Sequence, residues 1–162
     1  MSHPPIALRE APEPRDRESV REILDSTGFF YPDEIDTAVE LVDDRLARGE
    51  VSGYYFLFAD QGGKTIGYTC FGPIACTRAS YDLFWIGVHE SCRGQGVGKQ
   101  LLAESEAIIR RMGGARVYIE TSSKEQYVPT RGFYLKAGYR EEAILEDFYG
   151  PGDGKVIYVK AL

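Results

Sequence analysis

The chain has 162 residues, 43% hydrophobic and 27% charged, which is the composition of one soluble globular domain spanning residues 1–162. Its net charge of −6 at pH 7 disfavours nucleic acid, and no apolar run approaches the roughly 18 residues of a membrane span. Three cysteines without a C-x-x-C pair suit a reducing compartment, and two histidines with no His/Cys cluster argue against a bound metal.

Met1-Ser2-His3-Pro4-Pro5 lacks the charged and apolar regions of a secretory signal, so a cytoplasmic protein is expected. Residues 6–11 alternate and predict a first strand. Asp16 is placed to cap a helix whose apolar face is Val20, Ile23 and Leu24, and Gly28 ends it. Pro32 opens a second helix with Ile35, Val39, Val42 and Leu46 on one face, closed by Gly49. Residues 53–59 read as an aromatic-rich strand, Gln61-Gly62-Gly63-Lys64 as a hairpin turn, 65–71 as the next strand and 81–88 as the central one. A helix over 99–112 buries Leu101, Leu102, Ser105, Ile108, Ile109 and Met112, and Gly113-Gly114 stops it. A strand over 116–121, a short helix over 130–137 and two strands over 139–147 and 155–161 complete the chain.

The stretch between the central strand and the third helix, Val88-His89-Glu90-Ser91-Cys92-Arg93-Gly94-Gln95-Gly96-Val97-Gly98-Lys99, carries the strongest chemical signal. Glycines let a backbone approach an oxyanion closely, and N–H groups at a helix start favour a phosphate. A Walker A loop is excluded twice: Arg93 stands at the first glycine position and Gln100 replaces the Ser/Thr. A dinucleotide fingerprint accepts Gly94 and Gly96 but meets Lys99 at its third glycine. The pattern [QR]-x-x-G-x-[GA] is met by Arg93, Gly96 and Gly98.

That loop resembles the coenzyme A pyrophosphate loop of the GNAT superfamily of N-acetyltransferases. Phe133-Tyr134-Leu135-Lys136-Ala137-Gly138-Tyr139 is similar to the family's F-Y-x-K-x-G-F, and the order β-α-α-β-β-β-α-β-α-β-β is the GNAT order. The resemblance runs from about Ile6 to the end of the chain. It implies an α/β (α+β) fold, with a mixed, mostly antiparallel sheet of about seven strands, four helices and a splay between strands 4 and 5. It also implies acetyl-CoA as co-substrate. On that reading the pantetheine arm fills the gap between strands 4 and 5, and Val88 lies at the splay point with its amide facing the thioester carbonyl as an oxyanion-type donor. Ile86 is among the cofactor-binding residues. Arg93, Gly94, Gln95, Gly96, Val97, Gly98 and Lys99 cradle the pyrophosphate. Lys136 belongs to the same cofactor-binding set.

Acetyl transfer to an amine needs a neutral amine, a polarised thioester and a proton for the leaving thiolate. Tyr134 is the general-acid candidate, because a neutral phenol can protonate a thiolate within reach. Asp82, six residues before Val88, is the first candidate base. It is an acid inside an otherwise apolar strand, and the family's histone acetyltransferases carry a glutamate at the matching place. Glu120 is the second candidate and His89 a third, and many members rely on a water chain instead. Where the family commonly has an asparagine that helps hold the pantetheine, this chain has Tyr127, and Pro129 falls at the usual helix start. Tyr127 is expected among the cofactor contacts through a similar hydrogen bond from further away, with a part of the acceptor pocket as the alternative.

Phe30, Tyr31, Tyr81, Asp82 and Phe148 are the candidate acceptor-binding residues. Their segments mix aromatics with carboxylates, also at Phe29, Asp33, Glu34, Glu146, Asp147 and Tyr149, which suits a cationic amine with some apolar surface. The expected activity is N-acetylation of a primary amine on a small molecule or amino acid, by direct attack in a ternary complex. A peptide or protein N-terminus, or a non-catalytic acyl-CoA sensor, are the alternatives. The resemblance is compatible with a homodimer paired through edge strands.

Overall fold

In the computed structural model, which describes residues 2–162, helices form where apolar residues recur at three and four positions and stop at glycines. The elements are β1 (Ala7–Arg9), α1 (Asp16–Thr27), α2 (Pro32–Arg48), β2 (Tyr55–Gln61), β3 (Lys64–Pro73), β4 (Ser80–Val88), α3 (Val97–Arg111), β5 (Arg116–Ser122), α4 (Val128–Lys136), β6 (Arg140–Gly150) and β7 (Asp153–Ala161). The strands take the order β1-β2-β3-β4-β5-β7-β6 in one sheet. The expected four helices and seven strands, mostly antiparallel, are all present, and β4 and β5 form the parallel pair. No helix among the described residues is long and apolar enough to cross a membrane.

The chain divides into two compact units. The first takes the chain up to Gly72 together with Trp85–Ala107. Its core joins Val20, Ile23 and Leu24 of α1 and Ile35, Ala38, Val39 and Val42 of α2 to Phe56 and Phe58 of β2 and Tyr68 and Cys70 of β3. The other face of β3 meets α3: Thr69 and Ser105 share a buried 2.7 Å hydrogen bond, and a Cβ on Gly67 would stand 3.0 Å from Leu101. The β2–β3 hairpin pairs Gln61 with Lys64 around Gly62 and Gly63, both at positive φ, as a two-residue turn of this twist requires.

Asp16 is not the cap of α1. Arg15 holds the cap position, and the Asp16 carboxylate is fully buried. It accepts from the Glu13 N–H at 2.6 Å and from both terminal nitrogens of Arg9, at 2.8 and 2.9 Å. Arg9 also donates to Asp60 on β2 at 2.8 Å and lies 4.6 Å from the centre of the Phe58 ring. A buried carboxylate needs such partners, and this cluster ties β1 to α1.

The second unit holds Pro73–Phe84 and Ile108–Leu162. Ser80–Leu83 pairs in parallel with Arg116–Ile119, β5 pairs antiparallel with β7, and β6 lies at the edge. Tyr81, Leu83, Ile109, Val117, Ile119, Tyr134, Val156 and Tyr158 are buried here.

Several ends differ from the sequence reading. β2 begins at Tyr55 rather than Gly53, because Gly49–Ser52 forms one 3-10 turn that Gly53 closes at φ +78°. α3 begins at Val97, two residues early, since Val97 is an anchoring side chain only 2% exposed. α4 begins at Val128 with Pro129 inside its first turn. A proline fits there because N–H groups of the first turn have no partner within the helix.

Candidate active site

The glycine loop belongs to the first unit. β4 ends at Val88, and the His89 N–H donates to Ile66 on β3 at 2.8 Å, which fixes where the loop departs. Glu90–Cys92 makes a 3-10 turn: the Glu90 N–H donates to Ser26 of α1 at 3.0 Å, and His89 Nδ1 accepts from the Ser91 N–H. Gly94 and Gly96 then adopt φ +75° and +78°. A Cβ at either would meet nothing within 4 Å, so glycine is required by backbone conformation rather than by space. α3 follows at once, and the first backbone N–H groups of a helix lack internal partners. The loop can therefore hold an anionic oxygen, polyphosphate included. Arg93 is exposed, pairs with Glu90 at 3.2 Å and lies 5.9 Å from the Phe29 ring. Gly94, Gln95, Gly96 and Lys99 are exposed, Gly98, Ile86 and Val88 half-buried. Gly87 is a close-approach glycine: a Cβ there would stand 3.1 Å from Ile23 and from Leu24 of α1.

The titratable cluster belongs to the second unit. Asp82 lies half-buried on β4, between buried Tyr81 and Leu83. Partial burial, and then the Glu120 charge, push its carboxyl up to about 6, against the pull of Lys155. Glu120 on β5 is ion-paired to Lys155 of β7 at 2.9 Å. Tyr134 on α4 is 4% exposed, with the rings of Phe133, Tyr139 and Tyr158 at 5.6, 6.2 and 5.8 Å. Burial, then Tyr158, push its phenol up, so it stays protonated at neutral pH. Tyr127 is half-buried and holds the cap position of α4. Arg131 braces that connection by donating to the carbonyls of Ser122 and Lys124, at 2.7 and 2.9 Å. Lys136 is exposed in the last turn of α4.

The acceptor candidates divide. Tyr31 and Phe148 are exposed, at 66% and 53%. Phe30 packs edge-on against Trp85 at 5.4 Å, at the margin of the first core. Tyr81 lies on the buried side of β4. Its ring is buried where a Cβ on Gly114 would stand 2.8 Å away, and its hydroxyl donates to the Met112 carbonyl at 3.5 Å. Alternation along β4 sends Tyr81 and Asp82 to opposite faces. Lys155 is the functional candidate that sequence reasoning missed. Its partner is 35 positions away, and only the β5–β7 register brings the two together.

The sequence profile of the acetyltransferase (GNAT) domain matches residues 52–141, more than half of the chain. The chain belongs to the GNAT acetyltransferase family. A GNAT-family protein from Desulfovibrio desulfuricans, known as a crystal structure, is 43% identical, with 97% of this chain and 99% of that one superposed at a TM-score of 0.95. An uncharacterised N-acetyltransferase of Methanocaldococcus jannaschii is 27% identical over 105 residues, which is 65% of each, so the match spans just under two thirds of that relative. An aminoglycoside 6′-N-acetyltransferase crystallised with coenzyme A shares the fold at 19% identity and a TM-score of 0.77, over 97% of this chain and 96% of that one. The GNAT profile covers the glycine loop and Tyr134. The α1–α2 segment, Phe148 and Lys155 lie outside it.

Proposed function

We propose that this GNAT protein transfers the acetyl group of acetyl-CoA to the primary amine of a small molecule or amino acid, by direct attack in a ternary complex. The observation that carries the reading is the loop in which two left-handed glycines open α3. Acetyl-CoA supplies the activated thioester. The loop N–H groups, with Arg93 and Lys99, bind its pyrophosphate. Ile86, Val88, Tyr127 and Lys136 contact the rest of the cofactor, with the Val88 amide donating to the thioester oxygen. Asp82 takes a proton from the acceptor ammonium, directly or through water, and its raised affinity for protons suits that task near neutrality. Attack of the neutral amine makes the N–C bond, and collapse of the tetrahedral adduct breaks the C–S bond. Tyr134 gives its proton to the departing thiolate, and the second proton on the attacking nitrogen passes through water to the tyrosinate, restoring the phenol.

Calorimetric titration with acetyl-CoA, compared with 3′-dephospho-CoA and adenosine, tests the first step. Micromolar binding that requires the pyrophosphate arm supports the reading and licenses an amine screen by thiol release. Absence of binding would overturn it. Tight binding with no amine turned over would favour an acyl-CoA sensor.

A further inference from the structure

Lys155 occupies a site that is built around it. The β7 register pairs Lys155 with Ser122 on β5 and with Leu145 on β6. Its side chain is 13% exposed, and its Nζ lies 2.9 Å from Glu120 Oε2. The same ammonium stands 3.7 Å from the centre of the Phe148 ring and 5.9 Å from that of Tyr149. Those rings come from an irregular stretch of the hairpin. Between the pairs Leu145↔Lys155 and Gly150↔Asp153, β6 carries residues 146–149 where β7 carries only Gly154. Two features fix the excursion. Asp147 adopts φ +54° and accepts from the Gly152 N–H at 2.8 Å, and a Cβ on Gly154 would stand 2.9 Å from the Leu145 carbonyl oxygen. A mostly dehydrated ammonium is costly unless carboxylates and ring faces stabilise it, and here both are supplied.

We propose that Lys155 is the internal counter-ion for the carboxylates of Asp82 and Glu120, a positioning residue that ties down Glu120 by an ion pair and leaves Asp82 as the group that exchanges a proton. The assignment of that proton to the acceptor amine rests on the acetyl-transfer reading. Asp82 is in register with Tyr118 of β5, and Glu120 lies two residues further along that strand, on the same face. The charges of Glu120 and Lys155 both act on the Asp82 carboxyl. Lys155 bonds to Glu120 and acts on Asp82 through its charge alone. Without it, the Glu120 charge acts on Asp82 with no cation to offset it, and Asp82 keeps its proton to higher pH.

The test is a carboxyl carbon NMR titration of Asp82 in the unliganded protein, so it does not depend on any reaction. Lys155→Met should raise the Asp82 midpoint by about half a pH unit or more. Lys155→Arg should restore it, and Glu120→Gln should lower it. Glu120→Gln keeps the test decisive if Lys155→Met fails to fold, because Glu120 is 46% exposed and its replacement leaves the carbon skeleton intact. An Asp82 midpoint unmoved by either substitution would overturn the proposal. The acid limb of the kcat/KM pH profile, measured on the same variants, speaks to the acetyl-transfer reading instead. Midpoints that move while that limb stays still keep Lys155 as counter-ion and remove Asp82 as base.

Discussion

Tyr134 and Asp82 are both perturbed by burial, with opposite consequences for chemistry. The Tyr134 phenol is pushed up and so keeps the proton that the proposed mechanism has it give to the thiolate. Tyr134→Phe should therefore lower kcat by more than about tenfold while leaving acetyl-CoA affinity within about twofold, as initial rates and calorimetry would show. Asp82 is pushed from 3.8 to about 6, so the unfolded chain ionises it more readily than the folded one. Its contribution to stability is accordingly lost as pH rises from about 4 through 6. Asp82→Asn should leave stability nearly unchanged at pH 4 and raise it at pH 8 by about 1 kcal/mol, once solvent screening of a half-buried group is allowed for. Thermal melts at the two pH values read that difference. A larger gain at pH 4 would contradict the assignment. At this scale the sequence marks Asp82 and Tyr134 by context alone, an acid among apolar strand residues and a phenol in a short motif. It gives no sign that Lys155 reaches Glu120, because that contact is made by strand register.

At the level of elements, glycines act for two distinct physical reasons, and substitutions separate them. Gly96→Ala meets open space but forces an L residue to φ +78°, which costs about 1–2 kcal/mol. The prediction is a modest loss in melting temperature and, on the proposed role of the loop, at least about a tenfold loss in coenzyme A affinity by calorimetry, because the loop relaxes away from the turn that its two glycines set. Gly114→Ala is a steric case: its Cβ would stand 2.3 Å from Ile109 and 2.8 Å from the Tyr81 ring. A loss of about 2–3 kcal/mol is expected by chemical denaturation, with cofactor affinity unchanged. The ends of α1 and α2 were legible because Gly28 and Gly49 stop them with positive φ. The start of α4 was not, since Pro129 reads as a breaker in one dimension and is harmless in the first turn of a helix. Asp16 was misplaced for a related reason. Its residue type signals a cap, while its actual partner, Arg9, comes from another element. The turn of the glycine loop could be read from sequence, because Gly94 and Gly96 are local signals and both adopt positive φ just before α3. The cluster around Lys155 could not, because it is assembled from β5, β7 and the irregular end of β6.

The whole molecule repeats that division. The family profile covers residues 52–141, the part that carries the glycine loop and Tyr134, and leaves out α1, α2 and β7. The omitted β7 is also the strand on which its half of the sheet depends. It pairs with β5 over Asp153-side residues Lys155 to Ala161 and with β6 on its other edge, although it follows both in the chain. Synthesis from the N-terminus therefore delivers two strands that wait for one late partner. In the interval β6 offers Ile144, Leu145, Phe148 and Tyr149, exposed even in the finished fold, to whatever is nearby. A premature stop after Gly152 would deprive both neighbours at once. Its product would belong to chaperones and proteases, not to the ranks of slow enzymes.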